Sequence, residues 1–272
     1  MDASDVVEKG ASGRTLRLHF ALDIFHMHAA LYKITGNDVG EQLSNFDFEE
    51  NDLAIADRAY GTFNGIEYCY EKKCQFITRM RTNCFKIYSE TGEQINLLSL
   101  MQSTGEGHIC AFIKKTSKKN DRLVPIRICY KRKSPEAIDV TRKKIKRRES
   151  KKQCESSEET LLFNEYIVLA TSLSDEISYS DVLELYKYRW QVELYFKRLK
   201  SILGYGDLPK KTTESIFSWL NGKLMIALLM EKMLGDALFS PYHESYEEYL
   251  EGDQDAVFAF DEQPMQSECS DE

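Results

Sequence analysis

The sequence lacks several features that mark membrane, secreted or repeat proteins. It has no uninterrupted apolar run of 18 residues, so no membrane-spanning helix is predicted. Residues 1–5 contain neither the basic nor the apolar region of a secretory signal peptide. The seven cysteines form no Cys-x-x-Cys pair, which disfavours a disulfide scaffold or a zinc site and favours a reducing, cytoplasmic compartment. No internal repeat is evident.

Charge is unevenly distributed along the 272 residues, although the net charge is only −8. Residues 114–152 contain 17 Lys or Arg and 4 Asp or Glu, whereas residues 243–272 contain 11 acidic residues and no Lys or Arg. The basic stretch could be a solvated loop, but it lies between strand-like segments. We therefore interpret it as a surface that contacts the DNA backbone.

Tyr186, Arg189, Glu193 and Lys200 form the most informative pattern in the chain. If residues 186–200 form one helical stretch, this spacing places all four on one face. Together they make a poor core, but they suit a divalent metal flanked by groups that hold phosphate. The alternative is an ordinary surface ion pair between Arg189 and Glu193. The dense aromatic content of the stretch and the rarity of a four-residue pattern favour the site.

Four further residues carry weaker signals, two beside the signature residues and two histidines that could bind a metal. Lys197 lies one turn beyond Glu193 and is expected to add phosphate affinity. Trp190 is one residue off the polar stripe, which favours a core position over base stacking. His19 and His26 lie in or near strand-like segments, where isolated histidines are more often structural than metal-binding.

The spacing Tyr-x2-Arg-x3-Glu-x6-Lys resembles the signature of the insertion-sequence four family of bacterial DDE transposases. Two earlier segments are similar to the aspartate motifs of that family and occur in the same order. The first is the region of Asp2 with the following Arg17-Leu-His19 strand, and the second is Asp57-Arg-Ala-Tyr-Gly61 after a short apolar strand. The resemblance extends over residues 2–230.

This resemblance implies a metal-dependent enzyme that cleaves DNA strands at insertion-sequence ends and transfers them to a target. In the family, water attacks first and the freed 3′-hydroxyl then attacks target DNA, with a hairpin intermediate in some members. The implied partners are double-stranded DNA and a second copy in a synaptic complex, in a bacterial, nucleoid-associated setting without a membrane. The implied cofactor is a pair of Mg²⁺ ions, for which Mn²⁺ can substitute. The implied catalytic and metal-binding residues are Asp2, Asp57 and Glu193, and the implied DNA-binding residues are Tyr186, Arg189, Lys197 and Lys200.

The expected fold class is α/β, an RNase H-like mixed sheet with an antiparallel β insertion before the helix that carries the catalytic glutamate. Residues 1–83 are predicted to form the first part of the core, 84–160 a β-rich basic insertion, 161–235 the second part with the catalytic helix, and 236–272 an acidic, disordered tail. The predicted strands are 14–25, 28–34, 53–56, 75–79, 85–88, 95–100, 109–114, 124–132 and 161–171. The predicted helices are 41–46, 62–72, 135–153, a long helix that begins after Ser178 and includes 186–200, and 215–234.

The position of Asp2 leaves more than one interpretation open. In the family, an all-helical domain and half a strand precede the first aspartate, whereas only Met1 precedes it here. One hypothesis is a transposase domain whose amino-terminal part is encoded upstream. The second is a truncated, inactive remnant that only binds DNA or interferes with full-length transposase. A nuclease of the same fold is a third, disfavoured because the basic insertion and the polar helix face exceed what hydrolysis needs.

Overall fold

A computed structural model describes residues 1–8, 15–26, 28–82, 85–115, 122–205, 207–208 and 212–238. The strands are β1 (Asp2–Glu8), β2 (Thr15–Asp23), β3 (His28–Gly36), β4 (Leu53–Ala56), β5 (Gln75–Arg79), β6 (Ile87–Tyr88), β7 (Glu106–Lys115), β8 (Arg122–Arg132), β9 (Tyr166–Thr171) and β10 (Asp207–Leu208). The α-helices are α1 (Phe63–Lys72), α2 (Leu97–Thr104), α3 (Pro135–Lys152), α4 (Glu158–Phe163), α5 (Tyr179–Lys187), α6 (Trp190–Leu203) and α7 (Thr213–Leu238). A 3₁₀ turn spans Leu43–Asn45.

A four-stranded sheet with the order β10-β1-β2-β3 forms one part of the molecule. Its β1–β2 and β2–β3 pairs are antiparallel, and β10 lies parallel to β1. Helices α6 and α7 pack on this sheet, where Phe20 of β2 stacks on Tyr195 of α6 with ring centroids 4.4 Å apart. The apolar face of α6 is therefore fixed against β1 and β2, which also fixes the direction of its polar residues.

A six-stranded sheet with the order β4-β5-β9-β8-β7-β6 forms the other part. Strands β4 and β5 are parallel, and the other pairs are antiparallel. All six residues of β9 are buried, with Val168 and Ala170 facing one apolar cluster and Ile167 and Leu169 facing another. Helices thus cover both faces of the sheet at this strand, which explains why β9 is an uninterrupted apolar run rather than an alternating one.

A hydrogen bond from the first residue joins the two sheets. The backbone nitrogen of Met1 donates to the carbonyl oxygen of Ile55 at 2.5 Å, so the beginning of β1 lies beside β4. Asp2 begins β1 and Asp57 directly follows β4, so this junction brings two residues that are 55 positions apart into the same region. The architecture is a mixed α/β fold with mixed sheets and covering helices, compatible with the RNase H-like class.

Most of the predicted elements are confirmed. Strands β4 and β5 have the predicted bounds, and β2, β3, β8, α1 and α7 agree with the prediction within a few residues. Helix α3 begins as its sequence indicates, because the side chain of Ser134 accepts a hydrogen bond from the Ala137 nitrogen and Pro135 occupies the first helical position. Gly204, with φ of 57°, ends α6 in the left-handed conformation that glycine adopts without strain.

Two strand predictions were wrong. Residues 97–100, predicted as strand, lie in α2, which the Asn96 side chain caps by accepting from the Ser99 nitrogen at 3.1 Å. Residues 161–163, also predicted as strand, belong to α4, which Ser157 caps. Short apolar runs do not distinguish strand from helix, and in both cases the capping residue held the information.

The prediction of a single long helix that carries the whole signature was also wrong. Tyr186 lies in α5, whereas Glu193 and Lys200 lie in α6, and Tyr188 and Arg189 separate the two helices. Tight i to i+3 hydrogen bonds make this junction, among them Arg189 nitrogen to Tyr186 oxygen at 3.1 Å. The predicted helix over residues 41–46 is reduced to the 3₁₀ turn.

The predicted acidic tail lies, from residue 239 onward, outside the described residues. Within the residues that the structure describes, no helix is both long enough and apolar enough to cross a membrane.

Candidate active site

Three carboxylates from distant parts of the chain approach one another at the junction of the two sheets. Asp2 is the first residue of β1, Asp57 directly follows β4, and Glu193 lies in the first turn of α6. Helix α6 packs on β1 and β2, and Arg189 contacts both Asp2 and Glu193, so Glu193 lies at the end of β1 that carries Asp2. All three side chains are only partly exposed, so their charges interact through a medium less polar than water.

Arg189 bridges two of these carboxylates. Its Nη1 lies 3.5 Å from Asp2 Oδ2, and its Nη2 donates to Glu193 Oε1 at 2.5 Å. The residue is only 4% exposed, and its guanidinium carbon lies 5.9 Å from the centroid of the Tyr186 ring. A buried guanidinium is stable only when its charge is compensated. The i, i+4 pair of Arg189 and Glu193 is therefore part of a partly buried cluster rather than an ordinary surface ion pair.

The pKa values reflect the same convergence of charges. Burial and the negative charge of Asp57 raise the pKa of Asp2 to about 7, against the opposing effects of Arg189 and the Ala3 nitrogen. Burial opposes the charge on Arg189, but Tyr186 and the three carboxylates together keep its pKa above its ordinary value. The region therefore carries an excess of negative charge that favours a cation.

The donor set fits a hard divalent cation, because Asp2, Asp57 and Glu193 offer only carboxylate oxygens. Their oxygens do not all lie within 4.8 Å of one another, and the Arg189 guanidinium stands between those of Asp2 and Glu193. A cation held by all three carboxylates would take over part of the charge compensation that Arg189 provides here.

The remaining predicted site residues have different surroundings. Tyr186 is buried in the apolar cluster beneath α5, together with Ile55 and Leu169. Lys200 is half-buried; burial lowers its pKa, while Asp5 and Asp2 act in the opposite direction. Lys197 is exposed on α6. The structure thus brings Arg189 and Lys200 near the carboxylates, places Tyr186 in the core and leaves Lys197 open to a ligand.

Tyr60 is a further residue of this region, and its place in the Asp57-Arg-Ala-Tyr-Gly61 motif did not by itself indicate a role. It is fully buried, and its hydroxyl has no hydrogen-bond partner among the described residues. Burial, Asp2, Glu41 and Asp57 all raise its pKa. The sequence signal for the position of Tyr60 was the motif Asp57-Arg-Ala-Tyr60. In the structure this motif forms a turn, which a hydrogen bond from the Tyr60 nitrogen to the Asp57 oxygen closes at 3.0 Å.

Helix α3 carries the predicted basic surface. We define this surface by its exposed residues, Arg142, Lys143, Lys146, Arg147, Arg148, Lys151 and Lys152. Buried Glu165 binds the Nη2 atoms of Arg132 and Arg142 at 3.0 and 2.5 Å, which holds α3 against the end of β8. The basic surface is therefore presented by an anchored helix rather than by a loop.

Comparison with known proteins identifies the family to which this chain belongs. The chain matches the model of the Transposase DDE domain over residues 14–229. The chain belongs to the DDE transposase family. Asp57 and Glu193 lie within the matched residues, and Asp2 precedes them. Members of this family act on DNA and generally use divalent metal ions.

Relatives of this transposase come from bacterial insertion sequences. The chain is 25% identical over 247 residues to the InsL protein of insertion sequence element IS186A from Escherichia coli strain K12 and to the transposase of element IS421 from Escherichia coli. Each alignment covers 89% of this chain and 67% of the relative. The recognition of a DDE transposase of an insertion sequence is thereby confirmed.

Proposed function

We propose that this chain is the catalytic domain of an insertion-sequence transposase that cleaves DNA at the element ends and transfers the strands to target DNA. The observation that carries the proposal is the convergence of Asp2, Asp57 and Glu193 on the guanidinium of Arg189. Compensating one buried guanidinium requires about one negative charge, whereas three carboxylates 55 and 136 positions apart in the sequence act on Arg189, which leaves negative charge for a cation.

Asp2, Asp57 and Glu193 would hold Mg²⁺, with Mn²⁺ as a substitute, and such ions supply activation of the nucleophile and stabilisation of the leaving oxygen in phosphoryl transfer. The role of the three side chains is to concentrate negative charge at one end of β1. Their partial burial strengthens this effect, because water screens it less than at an open surface.

Arg189, Lys197 and Lys200 would bind the phosphates of the scissile strand. Arg189 can grip a phosphate with two parallel hydrogen bonds once its carboxylate partners are otherwise compensated. Lys200 is half-buried, and the charges of Asp5 and Asp2 act on it, whereas Lys197 is exposed one turn beyond Glu193. Tyr186 packs under Arg189 and supports its position. To bind a phosphate or a displaced base directly, the Tyr186 ring would have to leave the core.

The domain organisation that fits this function is an RNase H-like core from residues 1–83 and 161–235, with a β-rich basic insertion at 84–160 and an acidic tail at 236–272. The antiparallel pair β7–β8 and helix α3 give residues 84–160 their β-rich and basic character, and β8 pairs with β9, so this insertion extends the core sheet. Double-stranded DNA at element ends and target would lie along the basic surface, and a second copy would complete the synaptic complex.

A second candidate function is a protein that binds DNA without cutting it. The ion pairs of Arg189 favour this candidate, because they already compensate the charges of Asp2 and Glu193. Such a chain would occupy element ends and interfere with full-length transposase.

A cleavage assay distinguishes the two functions. The substrate is a supercoiled plasmid that carries the ends of the element encoding this chain, incubated with Mg²⁺ or Mn²⁺. We expect the unaltered chain to cut it, and Glu193→Gln to bind it equally well but to lose cleavage by at least about a hundredfold. The matched control is Glu184→Gln, since Glu184 is exposed on α5 and pairs with Lys187 at the surface. Undiminished cleavage by Glu193→Gln contradicts the assignment, and binding without cleavage by the unaltered chain supports the second candidate.

A further inference from the structure

The turn between β2 and β3 brings together one carboxylate and two imidazoles. It begins three residues beyond Phe20, the residue of β2 that pairs with Asp2. Asp23 and His28 are the last paired residues of the hairpin, and His26 lies in the turn between them. The ligand atoms of the three residues all lie within 4.8 Å of one another, and among the described residues this is the one set of three with that property.

The carboxylate of Asp23 is already oriented toward both rings. Its Oδ1 accepts hydrogen bonds from the backbone nitrogens of Phe25 and His26 at 2.9 and 3.3 Å, which fixes the side chain. Its Oδ2 lies 2.8 Å from His26 Nδ1 and 3.9 Å from His28 Nε2. Ligands at ordinary metal–nitrogen and metal–oxygen distances stand about 3 Å apart in a four-coordinate site, so little rearrangement is needed.

The environment of the three residues favours a cation from solution. The side chains of Asp23, His26 and His28 are 28, 72 and 54% exposed, so an ion can reach them directly. Glu231 of α7 adds a second carboxylate nearby, where its Oε2 accepts a hydrogen bond from the nitrogen of Ala29, the residue after His28. The stacked imidazole rings, with centroids 5.6 Å apart and planes at 15°, present their nitrogens side by side.

We propose that Asp23, His26 and His28 bind a borderline transition-metal ion such as Zn²⁺, Co²⁺ or Ni²⁺. Two neutral imidazoles and one carboxylate suit these ions, whereas Mg²⁺ prefers oxygen donors alone. The bound ion would link the side chains at the end of the β2–β3 hairpin. It would leave coordination positions for water or another ligand. This site shares no residue with the carboxylate site, differs from it in donor type and metal preference, and does not depend on transposase activity.

Calorimetric titration of the full chain with Zn²⁺ tests the proposal, with excess Mg²⁺ present to occupy the carboxylate site. We expect one Zn²⁺ per chain, with affinity reduced at least about tenfold in His26→Gln and in His28→Gln. Titration with Co²⁺ should give visible absorption bands that are lost in the same variants. Because all three side chains are partly or largely exposed, we expect the metal-free variants to melt at the temperature of the unaltered chain.

The control variant is His108→Gln, because His108 is exposed on β7 and Cys110, also exposed, lies two residues away. We expect this variant to bind Zn²⁺ like the unaltered chain and Zn²⁺ to raise the melting temperature of both. Equal affinity in the unaltered chain and in His26→Gln and His28→Gln would overturn the proposal. Loss of binding in His108→Gln alone would place the ion on β7 and overturn it as well.

Discussion

Arg189 is the residue on which the candidate active site depends. It is buried, it bridges Asp2 and Glu193, and it lies at the tight junction between α5 and α6. The same guanidinium can hold a DNA phosphate only if the carboxylates that cover it move, because Arg189 is buried between them. Metal binding and phosphate binding at this site are therefore linked, because both change the charge that faces Arg189.

Replacing Arg189 by alanine tests this linkage. We expect the metal-free variant to lose about 3 kcal/mol of unfolding free energy, because Asp2 and Glu193 are left partly buried without their partner. We expect Mn²⁺ to stabilise the variant more than the unaltered chain, measured as the shift in melting temperature during titration. Arg198→Ala is the control, since Arg198 is exposed on α6. An equal shift in both proteins would contradict the link between Arg189 and the metal.

His19 gives the molecule a predictable pH dependence. It is fully buried, with Nε2 2.9 Å from Thr35 Oγ1 and Nδ1 3.3 Å from Asn45 Nδ2. Burial, aided by Arg17 and Lys33, lowers its pKa to about 4. The folded chain therefore binds fewer protons here than the unfolded chain between pH 6.5 and 4. Folding stability due to this group is lost as pH falls through that window, by at most about 3 kcal/mol.

Chemical denaturation at several pH values measures this effect. We expect His19→Gln to have a lower stability at neutral pH but a flatter pH dependence between pH 6.5 and 4 than the unaltered chain. The exposed His108, changed to Gln, should leave the dependence unaltered. An unchanged slope in His19→Gln would show that other groups cause the acid sensitivity.

At the scale of elements, buried Glu165 determines how the basic helix is held. It precedes β9 and binds Arg132 at the end of β8 and Arg142 in α3. Its pKa is lowered because these two arginines outweigh the effect of burial. One buried carboxylate therefore contributes, together with the buried side of α3, to holding the basic surface in place.

Glu165→Gln should loosen α3 without changing its sequence. We expect a loss of about 2 to 3 kcal/mol of unfolding free energy, because a charged acceptor of two hydrogen bonds is replaced by a neutral one. Hydrogen exchange should become faster in α3 and remain unchanged in α7. Glu155→Gln, at an exposed position in the loop after α3, is the control. Unchanged exchange in α3 would mean that Ile138 and the rest of its buried side hold the helix.

The elements that the sequence predicted well share strong local signals. Strand β4 is a short apolar run after Asp52 and before Asp57, and α3 has a serine cap followed by proline. The elements that were predicted wrongly lack equally strong local signals. Leu97–Leu100 could be strand or helix until the cap at Asn96 was considered, and no local signal in Tyr188-Arg189 reveals the junction of α5 and α6.

At the scale of the whole molecule, the net charge of −8 hides a basic surface on one anchored helix. A net negative chain is repelled by DNA at long range, so binding requires local contacts with phosphates. We expect α3 to make these contacts, because its exposed lysines and arginines follow one another along a single rigid element.

The salt dependence of DNA binding measures these contacts. Lys143→Gln combined with Lys146→Gln should weaken binding and reduce the slope of log affinity against log salt by about 2, because each lysine that neutralises a phosphate releases about one counterion. Lys232→Gln on α7 should leave the slope unchanged, although Lys232 is also exposed. If the double variant keeps the full slope, DNA binds elsewhere on the molecule.

The sequence by itself determined the family, the likeness of Asp57 and Glu193 to metal-binding residues, and the basic character of α3, because these depend on residue type and spacing. Only the tertiary structure decided which charges meet. Arg189 turns toward Asp2 because α6 begins a new helix and packs on β1 and β2, and Asp2 reaches Asp57 because Met1 bonds to β4. Asp23, His26 and His28 converge because the hairpin closes between them. Long-range packing sets such distances, and no local pattern encodes them.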